Sequence, residues 1–335
     1  MSFINKIVPF NEFWMNCILN SAYSIATTRH NSYADAAYIN NYSYSSWGAA
    51  IDLEFISPTI EVLNYADKWE DFVLSEIIET ELPVFFEDTQ NFTAELQKII
   101  SEQKIVKLHI DLFYWLPKNI AWNRFHMSHY SIINGYDTEK KEYFILDDDI
   151  DGYGVHVIPE ERLIKAFNHS NAMIDPDPAT PHAYVYCIRD NIAPYKINIT
   201  EVMSHAERIV EELSVYSFNA LWNFNEDKKD DINEYISISL IGINIIENRH
   251  IGNGFLLKRL VELELINNTT FENMKTQLTK LQRGWKTIKQ VFINSMVSDT
   301  KEINIDLIRS KANEMLSIER EIWLTLLKEN KEVRI

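Results

Sequence analysis

The stretch from Lys107 to Gly152, KLHIDLFYWLPKNIAWNRFHMSHYSIINGYDTEKKEYFILDDDIDG, constrains this chain more than any other part of it. Leu108, Ile110, Leu112 and Tyr114 alternate with His109, Asp111 and Phe113, the period-two pattern of a strand with one buried face. Ser128 to Gly135 reads as a second strand with His129 at its start, and 136–140 as a polar turn. Tyr143 to Leu146 reads as a third strand that runs into Asp147. In a hairpin of this kind, a His at the start of one strand lies near an Asp at the end of its partner. Adjacent ends of rigid elements are where a base and the carboxylate that orients it are usually held.

Composition narrows the partners. The chain has 335 residues, 46% hydrophobic and 24% charged, which suits a folded protein of two domains. Its net charge of −17 argues against bulk binding of nucleic acid, which needs a basic surface. The two cysteines, Cys17 and Cys187, imply no disulfide framework and fit a reducing, cytoplasmic compartment. No signal peptide is evident, and no apolar run approaches the ~18 residues of a membrane span.

Along the chain, apolar residues recur at helical spacing from Phe13 to about Thr28, with Cys17 in the first turns and Asn11 or Asn16 as candidate caps. A thiol at a helix start lies at the positive end of the helix dipole, a place that favours thiolate. A short helix after Tyr33, extended segments at 51–56 and 60–63, a helix over 68–80 and a strand over 82–86 follow. A helix over 91–102 leads into the central stretch; 155–158 and 182–189 add strands, with a helix from Pro159 between them. After Asn191 only helical periodicity remains, over 199–221, 231–248, 254–265, 271–296 and 305–328. The expected organisation is an α+β domain over 1–191 followed by an α-helical accessory domain over 192–335.

Cysteine catalysis needs a thiolate, a base and a group that orients the base. Cys17 at a helix start, His129 at a strand start and Asp147 at a strand end supply these in the chain order of papain-like enzymes. Asn11, six residues before Cys17, is placed to offer its amide to a developing oxyanion. Asp111 serves the fold or lines the substrate pocket. In the helical region Asn244, Arg249 and Arg283 are candidate acceptor contacts, on the expectation that these helices cover the cleft and exclude water.

The run DLFYWLP, then FHMSHYSIINGYD and YFILDDD, closely resembles the N-terminal domain of the butirosin biosynthesis protein H family. The upstream NEFWMNCILNS is similar to that family's region around its nucleophilic cysteine. The resemblance covers roughly residues 10–190. It implies a papain-like thiol acyltransferase of specialised-metabolite biosynthesis, in which Cys17 is the nucleophile, His129 the base and Asp147 its orienter. It further implies an acyl or peptidyl carrier protein as thioester donor and a small-molecule amine as acceptor, with no cofactor and no metal. A cysteine peptidase or amidase on the same fold, and a catalytically inactive binding module, are the competing readings.

Other motifs read more plainly. Cys187 sits in an apolar strand and reads as core. His109 and Asp111 with His156 or His182 imitate an iron triad, but a helical second half does not suit that scaffold. Asp147 to Gly152 opens like a calcium loop, yet its twelfth position is Ile158 rather than glutamate. His126 and His129 fall on opposite faces of a strand. Trp222, Trp285 and Trp323 read as helical core, and the charge run 226–231 as a solvated loop.

Overall fold

The computed structural model describes residues 2–39, 41–44, 60–62, 73–215, 218, 232–298 and 302–333. In chain order the elements are β1 (Ser2–Ile4), α1 (Cys17–Arg29), α2 (Tyr33–Ile39), β2 (Tyr42–Ser43), β3 (Glu61–Val62), β4 (Ile78–Val84), α3 (Phe92–Ser101), β5 (Ile105–Asp111), β6 (Ser128–Asp137), β7 (Glu142–Asp149), β8 (Gly152–Pro159), α4 (Glu160–Asn168), α5 (Asn171–Ile174), β9 (Ala183–Ile188), α6 (Ile199–Val215), α7 (Ile232–Glu262), α8 (Asn268–Val297) and α9 (Ile305–Val333). The protein is thus mixed α+β with an antiparallel sheet and a helical C-terminal region. No helix among the described residues is long and apolar enough to cross a membrane.

Two compact units emerge, one of Met1–Ala34 and Asp67–Pro194, the other of Asp35–Ala66 and Tyr195–Ile335. The second break lies close to the expected one after residue 191. The first does not: Asp35–Ala66 belongs with the helices, not with the preceding α1 segment. The reason is a buried polar anchor. Tyr42 and Tyr44 both donate to the Glu319 carboxylate of α9 at 2.5 Å, and both rings are fully buried.

The first unit is organised on a sheet of order β4-β9-β5-β6-β7-β8, every neighbouring pair antiparallel. β5 lies along β6 from Asp111↔Ser128 to Val106↔Ile133, and β1 takes over at Gly135 to Asp137. Only glycine fits at 135, because a Cβ there would collide with the Phe3 carbonyl and Ile4 Cα. One apolar core gathers Val106, Leu108, Ile110, Ile133 and Ile145 from the sheet with Leu96 and Ile100 of α3 and Leu163 and Phe167 of α4.

The strand expected to continue through Tyr114 stops at Asp111. Its carboxylate accepts from Phe113 N at 3.1 Å and closes a 3-10 turn over Leu112–Tyr114, a side chain that out-competes the ladder. The expected helix over 68–80 is also corrected: Val73–Glu76 is a 3-10 turn and β4 begins at Ile78, while 68–72 and the segment 51–56 lie outside the described residues.

In the second unit α6 to α9 pack around Trp285, Trp323, Phe292, Leu281 and Ile288. The two helices expected over 231–248 and 254–265 are the single α7, whose glycine 254 is tolerated mid-helix because it faces Leu278 closely. Gly284 on α8 is likewise filled by the Met315 side chain of α9. Trp222 and the charge run 226–231 lie outside the described residues.

Candidate active site

α1 begins at Cys17, and the local sequence fixes where it begins. Asn16 caps the helix, its Oδ1 accepting from Leu19 N at 2.8 Å, a contribution of about 1 kcal/mol. The incoming loop is tied to the same helix. Asn20, fully buried, accepts from Met15 N at 2.8 Å and donates to the carbonyls of Phe10 at 3.0 Å and Phe13 at 3.1 Å. Ser24 Oγ accepts from Phe10 N at 2.7 Å. Cys17 itself is half-buried, at the first helical position, where an α-helix leaves its N–H groups unpaired within the helix.

Three elements meet at this helix start. Cys17 lies close enough to the ring of His129, near the start of β6, to favour its charged form. On the other side of the ring, His129 Nε2 lies 2.9 Å from Asp147 Oδ2, near the end of β7. Nε2 is therefore occupied by the carboxylate, and Nδ1 is the ring nitrogen left for the sulfur. Burial by itself pushes the imidazole down, but the Asp147 charge, its hydrogen bond and the nearby Cys17 sulfur outweigh it and raise His129 to about 10. For Asp147, burial pushes up, while the His129 charge and hydrogen bonds from His129, Asp148 N and Ser131 prevail and hold it below its ordinary value. A ring that is charged at neutral pH donates from both nitrogens, toward a carboxylate on one side and a sulfur on the other.

Asp147 is held by more than the histidine. Trp115 Nε1, fully buried, donates to Asp147 Oδ2 at 2.6 Å, and Asp148 N donates to Oδ1 at 2.8 Å. Neither contact was legible as a motif; the clue to Trp115 is that a buried indole needs an acceptor. Asp148, the neighbouring carboxylate, does something else. Its Oδ1 accepts from Trp14 Nε1 at 3.2 Å, joining the loop before Cys17 to the end of β7. Burial, then the Asp147 charge beside it, push Asp148 up to about 6.

Of the other sequence candidates, several are engaged by the protein itself. Asn11 is exposed on the lead-in to α1. Asp111 is not offered to a substrate: Oδ2 lies 2.6 Å from His126 Nδ1, and Oδ1 accepts from Phe113 N and Met127 N. It ties the 112–127 excursion back to β5. Arg249 is buried in the helical unit and donates to the carbonyls of Ala37 at 3.2 Å and Tyr38 at 2.7 Å. Asn244 Oδ1 accepts from Lys289 Nζ at 2.8 Å, and Arg283 is exposed on α8. Cys187 is half-buried on β9 rather than enclosed as core.

The histidines of the iron-triad pattern are dispersed. His182 Nδ1 accepts from Phe86 N at 2.9 Å, His156 Nε2 lies 3.2 Å from the Asp147 carbonyl, and Asp111 is paired with His126. The carboxylates of the calcium-like run also part company: Asp147 faces His129, Asp148 faces Trp14, and Asp151 pairs with Lys118. Among the described residues no group of three or more His, Cys, Asp or Glu side chains is placed to hold a metal ion.

No protein-family model matches the chain, and no curated protein matches it.

Proposed function

We propose that this protein is a papain-like cysteine acyltransferase that takes an acyl or aminoacyl group from a carrier-protein thioester and passes it to a small-molecule amine. The observation that carries the reading is the hydrogen-bonded pair of His129 and Asp147, fixed by Trp115, with Cys17 at a helix start acting on the His129 ring. The resemblance of the segments around these residues to the butirosin biosynthesis protein H family supports thioester chemistry over proteolysis.

In the first half-reaction the Cys17 sulfur attacks the thioester carbonyl carbon. The first-turn amide of Cys17 and the side chain of Asn11 are the candidate donors to the oxyanion. The tetrahedral adduct collapses with release of the donor thiolate, which takes the proton from His129 Nδ1. In the second half-reaction the amine attacks the acyl-Cys17 carbonyl, His129 accepts the amine proton, and Cys17 leaves as thiolate. Asp147 remains ionised throughout and keeps the ring oriented.

The test is to incubate the full-length protein with aminoacyl-N-acetylcysteamine and follow it by intact-mass spectrometry. Acyl-Cys17 should accumulate and discharge to an added amine as amide, and Cys17→Ala should form neither. Discharge to water alone, with amines ignored and peptide or amide substrates cleaved, would assign the peptidase or amidase reading. A Cys17 that accepts no acyl group from thioesters, esters or peptides would leave the inactive binding module.

A further inference from the structure

We infer that the surface around Tyr114 holds a subsite for the phosphate of a phosphopantetheine thioester, with Lys165, His126 and His169 as its binding groups. The inference rests on the acyl-transfer reading above and names the part of the donor that this surface takes.

One ring gathers the three. Lys165 Nζ of α4 lies 4.3 Å from the centroid of the Tyr114 ring, the His169 ring 4.6 Å from it and the His126 ring 5.9 Å. Phe113 completes the platform, packed on Tyr114 at 4.7 Å and stacked on His126 at 4.5 Å. One turn earlier on α4, Arg162 lies over Trp122 at 5.0 Å, so a second cation borders the same excursion of the chain. Lys165 and His126 are exposed, and His169 is half-buried. In a chain of net charge −17, a surface that gathers such groups is where an anion can approach.

The groups are oriented but not used up. His126 Nδ1 lies 2.6 Å from the buried Asp111 carboxylate, and His169 Nδ1 donates to the Lys165 carbonyl at 2.9 Å. Both rings are thus fixed through Nδ1, and among the described residues neither Nε2 makes a hydrogen bond. Glu161 precedes Lys165 by four residues, the spacing of a helical ion pair, yet no ion pair forms and the ammonium rests on Tyr114 instead. A phosphate beside these rings favours their charged form, in which each donates from Nε2 alongside the ammonium.

Chain connectivity places this surface near the proposed base. His126 precedes His129 by three residues, which bounds their Cα separation at about 11 Å. Asp111, which orients His126, adjoins Ile110, the register partner of His129. In a phosphopantetheine thioester the phosphate and the thioester stand at the two ends of a long flexible arm. A phosphate site therefore belongs at a remove from the nucleophile and not against it. Binding energy from the phosphate, remote from the reacting carbonyl, then serves to deliver the thioester.

The experiment offers the full-length protein one aminoacyl group on two thiols, pantetheine and 4′-phosphopantetheine, and reads Cys17 acylation by intact-mass spectrometry. The phosphorylated donor should react about tenfold faster. Lys165→Met should bring the ratio of the two rates to within about twofold of unity, and Lys165→Arg should retain it. A ratio near unity in the wild type, or a preference that survives Lys165→Met, overturns the subsite and keeps acyl transfer. A second arm needs no acylation. Free 4′-phosphopantetheine should shift the His126 and His169 ring resonances in NMR spectra, assigned with His126→Gln and His169→Gln, and pantetheine at matched ionic strength should not. Those shifts, with Cys17 acylated by neither donor, reject acyl transfer and keep the phosphate site. Equal shifts with both compounds, or none with either, overturn it.

Discussion

The indole of Trp115 and the ring of His129 meet on the same oxygen: both lie within hydrogen-bond distance of Asp147 Oδ2, at 2.6 and 2.9 Å. The indole donor is fully buried in the core, and the histidine is half-buried at the start of β6. The carboxylate is thereby aimed before the histidine is, and the histidine is aimed before the thiol.

Trp115→Phe keeps an aromatic ring in the core but removes the donor and the volume of the indole's second ring, at a site that is fully buried. Loss of one hydrogen bond to a buried charge should cost about 1.5–3 kcal/mol in a denaturant melt. Turnover or Cys17 alkylation should fall with it, by about tenfold, because the carboxylate is free to rotate away from His129. Full activity with unchanged stability would show that Trp115 has no part in orienting Asp147.

Asp147→Asn leaves His129 buried without its counter-charge. The ring titration, followed by NMR, should drop from about 10 to below its ordinary 6.5, since burial then dominates. The sign for stability follows. In the wild type the raised His129 contributes fully below 6.5, and that contribution fades as pH rises through about 10. The lowered Asp147 contributes above the ordinary carboxylate range and is lost as pH falls through its folded value. The stability gap between wild type and Asp147→Asn should therefore be widest between those limits and close at strongly alkaline pH.

Cys17 and Cys187 are both half-buried, so exposure does not separate them. The proximity of His129 does. Iodoacetamide at neutral pH should label Cys17 much faster, and Cys17→Ala should abolish turnover without changing the melt. Equal rates at the two thiols would sink Cys17 as nucleophile.

Asn20→Leu removes three hydrogen bonds that hold the loop before Cys17. Stranding the Met15 amide and two carbonyls should cost upward of about 1–3 kcal/mol. The loop carries Trp14, so its contact with Asp148 should weaken as well. Protease sensitivity between residues 10 and 16 is the direct readout; unchanged protection would mean that packing alone holds the loop.

Glu319 gives the helical unit its own pH dependence. Burial raises it from 4.5 to about 7, against hydrogen bonds from Tyr42, Tyr44 and Trp323 that pull it down. The native state therefore holds a proton that the unfolded state releases, and this term makes stability fall as pH rises from 4.5 through about 7. Buried His250, pushed down to about 3, works in the opposite sense, losing stability as pH falls below 6.5. Glu319→Gln should remove only the first term, so its melting temperature should gain on the wild type as pH rises toward neutrality.

The sequence by itself determined the elements that alternate or repeat: β6, β7 and α3 fall where periodicity puts them, because burial on one face writes itself into neighbouring positions. It also determined the residue types from which Cys17, His129 and Asp147 were singled out, since few side chains can act as nucleophile, base and orienter. What it did not determine is which groups face one another across long separations. Asp111 and Arg249 carry the right chemistry for a site, yet Asp111 is occupied by His126 and two backbone amides, and Arg249 by two backbone carbonyls. Trp115 carries no motif in the sequence, and the fold turns it into a donor to Asp147. Tyr42 and Tyr44 leave their sequence neighbours for Glu319, far along the chain. Only the tertiary structure decides such cases, because a buried polar atom must find a partner wherever packing brings one, and that partner's distance along the chain carries no local pattern.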